Sequence, residues 1–154
     1  MTATFSLPEP GATDAFAERL VDALGDRPAG WLIALKGELG AGKSTLARAM
    51  LRAYGHEGAV PSPTYTLIEP YSFPGFDAYH VDLYRIADPE ELDYLGWSDL
   101  SDGLCLVEWP EQAPGLEARA DLVIELRYAG EGRAAELRAG SERGAKLLER
   151  IDLK

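Results

Sequence analysis

The sequence contains a single cysteine, Cys105, so the chain cannot form an internal disulfide. Cys105 lies in the apolar run LCLV without a basic neighbour, which favours a buried structural thiol over a reactive one. No apolar run approaches the ~20 residues that span a membrane. The first residues, MTATFSLPEPGATDAF, lack the basic and apolar regions of a secretory signal. These absences predict a cytoplasmic protein with no membrane association.

Basic residues are scarce in the middle of the chain. Between Thr66 and Gln112 there is one base, Arg85, against eleven acids, so this segment carries −10 of the total charge of −11. A surface of this sign repels a phosphate backbone, which argues against direct nucleic-acid binding. From Glu131 onward six bases accompany five acids, so no compensating basic patch is visible. We expect a mostly solvated acidic face that leaves room for a cation site and for docking on another protein.

Length and patterning predict one α/β domain. The 154 residues and the 46% apolar content are typical of a globular domain with a real core. Hydrophobic periodicity and turn residues predict alternating strands and helices with two added antiparallel pairs. The predicted elements are a strand over 2–7, a helix from Thr13 to Leu24 stopped by Gly25, a strand over 31–35, a helix over 43–54, a hairpin over 65–72 and 78–85, a short helix capped by Asp88, a strand over 104–108, a hairpin over 121–128 and 133–139, and a helix over 141–151.

The most informative stretch is GELGAGKS at residues 37–44, which follows the apolar run WLIAL. The pattern Gly37-x-x-x-x-Gly42-Lys43-Ser44 is that of a phosphate-binding P-loop, and a plain glycine-rich turn would not explain the Lys-Ser pair. Its glycines let backbone N–H groups surround a polyphosphate, and the following helix adds a positive N-terminus. We expect Lys43 to reach the β- and γ-phosphates of ATP, Ser44 to ligate Mg²⁺ and Thr45 to meet the α-phosphate. The candidate nucleotide-binding residues are Glu38, Leu39, Gly40, Ala41, Gly42, Lys43, Ser44 and Thr45.

Two acidic residues end strand-like runs and are candidates for the metal side of the site. Asp82 follows HV, and Glu108 follows four apolar residues, as expected of a strand that presents a carboxylate to Mg²⁺ or its waters. A strand-end or surface acid is the structural alternative for each. Thr64, in the loop SPTYT, is either a γ-phosphate sensor or part of a rigid turn. Trp109 directly follows Glu108 and would lie beside the chemistry, whereas His80 is expected to be hydrogen-bonded within its hairpin.

Four segments carry a family resemblance. They are GELGAGKST, GHEGAVPSPTYTLIEPY, YHVDLYRIADPEELDYLGW and CLVEWPEQ, in order from about Leu32 to Gln112. The chain resembles the TsaE (YjeE) family, small bacterial ATPases of tRNA threonylcarbamoyladenosine synthesis. The linked set SPTYT, HVDLYR and VEWP is much more specific than the P-loop. The sequence departs from the family at Pro61, where lysine or threonine is expected, and at Ser44, where threonine is usual and a serine hydroxyl can serve equally.

The resemblance implies a P-loop NTPase-like mixed sheet sandwiched by helices, as a single P-loop ATPase domain over residues 1–154. It implies one ATP and one Mg²⁺, with Lys43 and Ser44 holding phosphate and metal and Glu108 ligating the metal. Thr64 and Asp82 would serve the γ-phosphate side as catalytic residues. Trp109 would support the site and contact the nucleotide.

The resemblance also implies partners. These are the TsaB–TsaD heterodimer, in which TsaD transfers the threonylcarbamoyl group to tRNA while ATP hydrolysis by TsaE lets the complex turn over. The acidic surface agrees with a protein that meets tRNA only indirectly, through that complex. No residue is a convincing arginine finger in cis, so hydrolysis by the isolated chain is expected to be slow and stimulated by partners.

Three other functions compete on the residues alone, and the sequence argues against the first two. A small-molecule kinase would need an arginine-bearing lid, and after the predicted helix over 43–54 the sequence offers only Arg85 before Arg119. A GTPase would need N-K-x-D to read guanine, which is absent from the sequence although residues 93–96 match D-x-x-G. A nucleotide-gated binding module with little hydrolysis would share the P-loop, and only a turnover assay separates it from an ATPase.

Overall fold

The computed structural model describes residues 1–58, 60, 68–86, 88, 90–91 and 100–152. The expectations for Pro61, for Thr64 and for residues 92–99 lie outside the described residues. The Asp88 carboxylate, within them, accepts a hydrogen bond from the backbone N–H of Glu90 at 3.0 Å, as the predicted cap requires. Each helix in the described part of the chain is too short or too polar to traverse a lipid bilayer.

The chain alternates strands and helices and adds two antiparallel hairpins. The elements are β1 (Thr2–Leu7), α1 (Pro10–Leu24), β2 (Leu32–Gly37), α2 (Lys43–Ala53), β3 (Ile68–Phe73), β4 (Phe76–Asp82), β5 (Leu104–Glu108), a 3₁₀ turn (Pro110–Gln112), α3 (Leu116–Arg119), β6 (Leu122–Ala129), β7 (Gly132–Ala139) and α4 (Glu142–Asp152). The predicted α/β class is confirmed.

One mixed sheet of seven strands, in the order β1-β7-β6-β2-β5-β4-β3, organises the described residues. Strands β6, β2, β5 and β4 are parallel, while β1 with β7, β6 with β7, and β3 with β4 are antiparallel. The register aligns Asp82 on β4 with Glu108 on β5, and Glu108 with Leu35 on β2. The two carboxylates therefore end neighbouring strands at the edge where β2 runs into the P-loop. Open parallel sheets bind ligands at this carboxyl edge.

Helices α1, α2 and α4 cover one face of the sheet and form the main core. Leu20 of α1, Leu46 of α2 and Leu147 of α4 are fully buried there, against strand residues such as Leu106. The other face is covered by the 3₁₀ turn and α3, where Leu116 packs near Val107. Both faces of β5 are buried, which is why the strand is an uninterrupted apolar run, LCLV, before Glu108.

The boundaries of the predicted elements agree with the structure at most positions and differ in β4, which ends at Asp82 rather than Arg85, and in α1. This helix begins at Pro10, about one turn before the predicted start at Thr13. Proline is favoured at the first helical position because its fixed φ suits the helix and its missing N–H would be unpaired there. The backbone N–H of Ala12 donates to the Glu9 carbonyl at 3.0 Å in this first turn. Thr13 therefore lies inside the helix rather than at its cap.

Cys105 is a structural thiol, as predicted. It is 2% exposed, and burial raises its pKa to about 12. Its Sγ–H donates to the Leu100 carbonyl at 3.1 Å.

Candidate active site

The loop between β2 and α2 has a conformation that requires glycine. Gly37, Gly40 and Gly42 have φ values of 145°, 83° and 110°. A Cβ at Gly37 would lie 2.5 Å from the carbonyl oxygen of Leu126 on β6, so both the backbone angle and the space exclude a side chain. Gly42 is the N-cap of α2 and offers no side chain to the first helical N–H groups. The start of α2 thus presents unpaired donors and a positive dipole end, which suit an anion.

Lys43 is buried beneath this loop. Only 4% of it is exposed, and its ammonium donates to the carbonyls of Gly37 at 2.5 Å and Glu38 at 3.1 Å. The ammonium also lies 4.0 Å from the ring centroid of Trp109, a cation–π distance. Burial lowers the pKa of Lys43, while the nearby carboxylates, Glu108 first, act in the opposite direction. In the P-loop pattern the lysine at this position of the sequence is the one that reaches phosphate oxygens.

Ser44 and Glu108 meet directly above β5. The Ser44 hydroxyl lies 3.0 Å from Oε1 and 2.8 Å from Oε2 of Glu108, which is 3% exposed. On the other side, His80 Nε2 lies 2.5 Å from Oε2 of the same carboxylate. The expectation of a hairpin partner for the His80 side chain is therefore wrong, because its partner is on the adjacent parallel strand. Sequence spacing does not reveal this contact between residues 28 positions apart.

Asp82 and Trp109 lie at the same carboxyl edge of the sheet. Asp82 is 6% exposed, and its Oδ1 accepts a hydrogen bond from the backbone N–H of Tyr84 at 2.9 Å. Burial raises the pKa of Asp82, and the nearby Glu108 carboxylate adds to the rise. Trp109 has φ 58°, the one positive φ of a non-glycine residue in the described part of the chain. This left-handed turn directs the chain away from β5, and the Trp109 ring lies 4.9 Å from that of Tyr84.

A cavity of about 370 Å³ opens over these groups. It brings together Lys43, Ser44, Thr45, Asp82, Glu108 and Trp109 with Leu39, Gly40 and Gly42, as the sequence predicts. Glu38 lies beside it and contributes a carbonyl to Lys43. Thr64 lies outside the described residues.

Arg48 and Arg85 line the same cavity, and no motif in the sequence points to Arg48. The Nε–H of Arg48 donates to the Ser44 carbonyl at 3.2 Å, because a helical side chain leans toward the N-terminus of its helix. Its position four residues after Ser44, on the same face of α2, is the signal that could have found it.

A second cavity of about 220 Å³ also adjoins the P-loop. Gly40, Gly42 and Thr45 line both cavities, and Ala41 lines the second. The remaining lining comes from two distant parts of the chain, Leu7 to Thr13 and the end of the β6–β7 hairpin. The Tyr128 hydroxyl of this hairpin donates to the Leu39 carbonyl at 3.0 Å, which ties the hairpin to the P-loop.

The groups at the first cavity suit Mg²⁺ better than a transition metal. In the described part of the chain no three His, Cys, Asp or Glu residues group as a ready-made metal centre. Mg²⁺ binds through one or two protein oxygens and takes its other ligands from phosphates and water. The Ser44 hydroxyl and the Glu108 carboxylate, 2.8 to 3.0 Å apart, are hard oxygen donors of this kind.

Comparisons with known proteins agree with this geometry. The family model "Threonylcarbamoyl adenosine biosynthesis protein TsaE" matches residues 7–135. The chain is 45% identical over 119 residues to the tRNA threonylcarbamoyladenosine biosynthesis protein TsaE of Haemophilus influenzae, covering 76% of this chain and 75% of that protein. It is 39% identical over 121 residues to the Synechocystis protein of the same name, covering 75% and 74%. The crystal structure of YdiB from Bacillus subtilis superposes with a TM-score of 0.75 at 27% identity, over 99% of this chain and 95% of that one.

Proposed function

Because the chain belongs to the TsaE family of tRNA threonylcarbamoyladenosine biosynthesis, we propose that residues 1–154 form one Mg²⁺-dependent ATPase domain. Its hydrolysis of ATP drives turnover of a TsaB–TsaD-like heterodimer. The observation that carries this proposal is the contact between the Ser44 hydroxyl and the Glu108 carboxylate, directly beside the P-loop. A hydroxyl and a carboxylate at these positions are what a P-loop NTPase uses to hold the metal of its nucleotide.

The triphosphate would bind across the start of α2. The first N–H groups of α2 would donate to phosphate oxygens, with Thr45 near the α-phosphate. Lys43 would exchange its carbonyl acceptors, Gly37 and Glu38, for oxygens of the β- and γ-phosphates. The anion is thus received by backbone dipoles and one buried lysine, which explains how a chain of charge −11 can bind it.

The nucleoside would lie in the second cavity. Gly40, Gly42 and Thr45 line both cavities, so a phosphate chain on the P-loop leads from one to the other. Leu7 and Leu126 supply apolar surface for a flat base. This arrangement assigns the base to residues that no P-loop motif includes.

Hydrolysis would occur beside Asp82 and Glu108. Mg²⁺, when bound, supplies charge neutralisation at the β- and γ-phosphates, with Ser44 and Glu108 as its protein ligands. Asp82 lines the same cavity, and its carboxylate would accept a hydrogen bond from the attacking water. Trp109 packs over Lys43 and limits water around the ammonium. Thr64 remains a prediction as the γ-phosphate sensor.

The isolated chain would hydrolyse ATP slowly. We assign no arginine of this chain to the transferred phosphoryl group, and the Nε–H of Arg48, which lines the cavity, is bonded to the Ser44 carbonyl. A well-placed arginine can be worth roughly 10³–10⁵ in rate. Leu39 and Tyr84, which are 69% and 45% exposed, flank the cavity mouth and offer apolar surface to a partner that closes it. We propose that the partner complex, in the cytoplasm, activates hydrolysis by closing this mouth.

A turnover assay with and without the partner complex tests the proposal. We expect slow release of phosphate by the pure protein and faster release with TsaB–TsaD and tRNA. Sedimentation should detect docking that differs between an ATP analogue and ADP, and a gel shift with tRNA alone should show negligible binding at physiological salt. Fast turnover by the pure chain would favour a kinase or a stand-alone ATPase. Docking indifferent to nucleotide, or tight tRNA binding alone, would refute the partner mechanism.

A further inference from the structure

His80 is fully buried, and its side chain makes a single hydrogen bond among the described residues. Its Nε2 lies 2.5 Å from Oε2 of Glu108, and its Nδ1 has no partner there. Leu106 on β5 is opposite His80 in the register and Ala78 precedes it on the same face of β4, whereas Glu69 on β3 and Asp82 on β4 are its acidic strand neighbours. A buried ring nitrogen without a partner is unfavourable, so packing alone would favour an apolar side chain at this position. The contact with Glu108 is what distinguishes histidine here.

Strand geometry places this contact. Strands β4 and β5 are parallel, with Asp82 opposite Glu108. Because side chains alternate along a strand, His80 and Asp82 project from the same face of β4. His80 lies one step deeper toward the core and reaches Oε2 of Glu108 from below, while Ser44 reaches the carboxylate from α2. The carboxylate is therefore held from two sides before any ligand arrives.

We infer that His80 is a positioning residue, whose Nε2–H holds Oε2 of Glu108 so that the carboxylate faces Ser44 in the orientation that binds the metal. The inference rests on the proposed function, since it assigns His80 a role toward the proposed Mg²⁺ site. A glutamate side chain has three rotatable bonds, and a donor fixed in the core restricts them. Partners that orient metal ligands in this way typically contribute 10- to 100-fold to metal affinity.

Three substitutions separate the hydrogen bond from the volume of the ring. In His80→Gln the side-chain N–H₂ lies the same number of bonds from the backbone as Nε2, so it can still donate to Glu108. In His80→Asn the amide reaches only the position of Nδ1 and cannot donate to Glu108. His80→Leu fills the space without any donor. The other histidine of the chain provides a control, His56→Leu, because its ring contacts Tyr71 away from the site.

The readout is metal affinity rather than activity. Mn²⁺ is titrated into each ADP-loaded protein and followed by electron paramagnetic resonance, and ADP affinity is measured separately in EDTA. We expect His80→Asn and His80→Leu to weaken Mn²⁺ binding about 10- to 100-fold. His80→Gln should retain most of the affinity, His56→Leu all of it, and ADP affinity in EDTA should be similar throughout.

The possible results distinguish a failure of the role of His80 from a failure of the proposed metal site. Wild-type Mn²⁺ affinity in His80→Asn and His80→Leu would overturn the role of His80 and leave the metal site intact. Equal losses in His80→Gln and His80→Asn would also overturn it, since the ring volume rather than the donor would then matter. If the wild-type protein binds no Mn²⁺ with ADP, the proposed metal site fails, and this inference fails with it. If His80→Leu does not fold, the comparison of Gln with Asn still decides.

Discussion

Replacing Lys43 with methionine keeps the apolar stem and removes the ammonium that we assign to the β- and γ-phosphates. In the structure this ammonium is already bonded to the carbonyls of Gly37 and Glu38. Nucleotide binding therefore exchanges neutral acceptors for charged ones rather than creating contacts from nothing. Hydrogen bonds to charged groups net about 1.5–3 kcal/mol. One such contact corresponds to about a 10- to 150-fold loss of affinity at about 1.4 kcal/mol per factor of ten.

Calorimetric titration with ADP and with a non-hydrolysable ATP analogue measures this loss. We expect Lys43→Met to lose affinity for both within this range, with a greater loss for the analogue because it carries the γ-phosphate. Lys36→Met is the matched control, since Lys36 lies on β2 but pairs with Glu117 at 3.1 Å, outside the cavity lining. Circular dichroism verifies that both variants fold. Unchanged affinity in folded Lys43→Met protein would refute the assignment of the P-loop to nucleotide binding.

Two further substitutions address the carboxylates. Glu108→Gln keeps the size of the side chain but removes its charge. The Mg²⁺ concentration that gives half-maximal hydrolysis should therefore rise, while ADP affinity in EDTA stays constant. An unchanged Mg²⁺ dependence would make Glu108 a strand-end acid only. Burial raises the pKa of Asp82 in the folded state, so the ionised carboxylate destabilises the fold at neutral pH and this cost disappears as pH falls through the folded pKa. Asp82→Asn should therefore raise the thermal midpoint of unfolding at pH 7, and this rise should shrink toward acidic pH. The same substitution should abolish hydrolysis, because it removes the carboxylate that we assign to the attacking water. A rise in the midpoint that is independent of pH would contradict the linkage.

Local signals predicted the elements that carry the site. Gly42-Lys43-Ser44 follows a strand and opens a helix, so the loop and its polarity could be read from a short stretch. The run LCLVE predicted a buried strand with a carboxylate at its end, because a short apolar run bounded by a polar residue is typical of such a strand. In these cases the physical cause lies within about ten residues.

Contacts between distant segments could not be predicted in the same way. The partner of His80 depends on β4 lying beside β5 in parallel, which the order of elements along the chain does not specify. The second cavity joins the start of α1 to the β6–β7 hairpin, and only the folded sheet brings these together. No motif marks Arg48, because its place at the cavity depends on how its side chain leans along α2. The start of α1 was misplaced because Thr13 has cap chemistry, whereas Pro10 has the backbone that begins the helix.

The rate at which the sole cysteine of this chain reacts measures how often the sheet opens. Cys105 is buried on β5 three residues before Glu108, and its high pKa leaves almost no thiolate at neutral pH. An alkylating reagent can therefore react only during openings that expose β5 and restore an ordinary thiol. A ligand that binds only the closed form slows such openings by the factor by which it stabilises that form. The labelling rate of one native atom thus reports occupancy of the neighbouring site, without a mutation, an introduced probe or a turnover measurement.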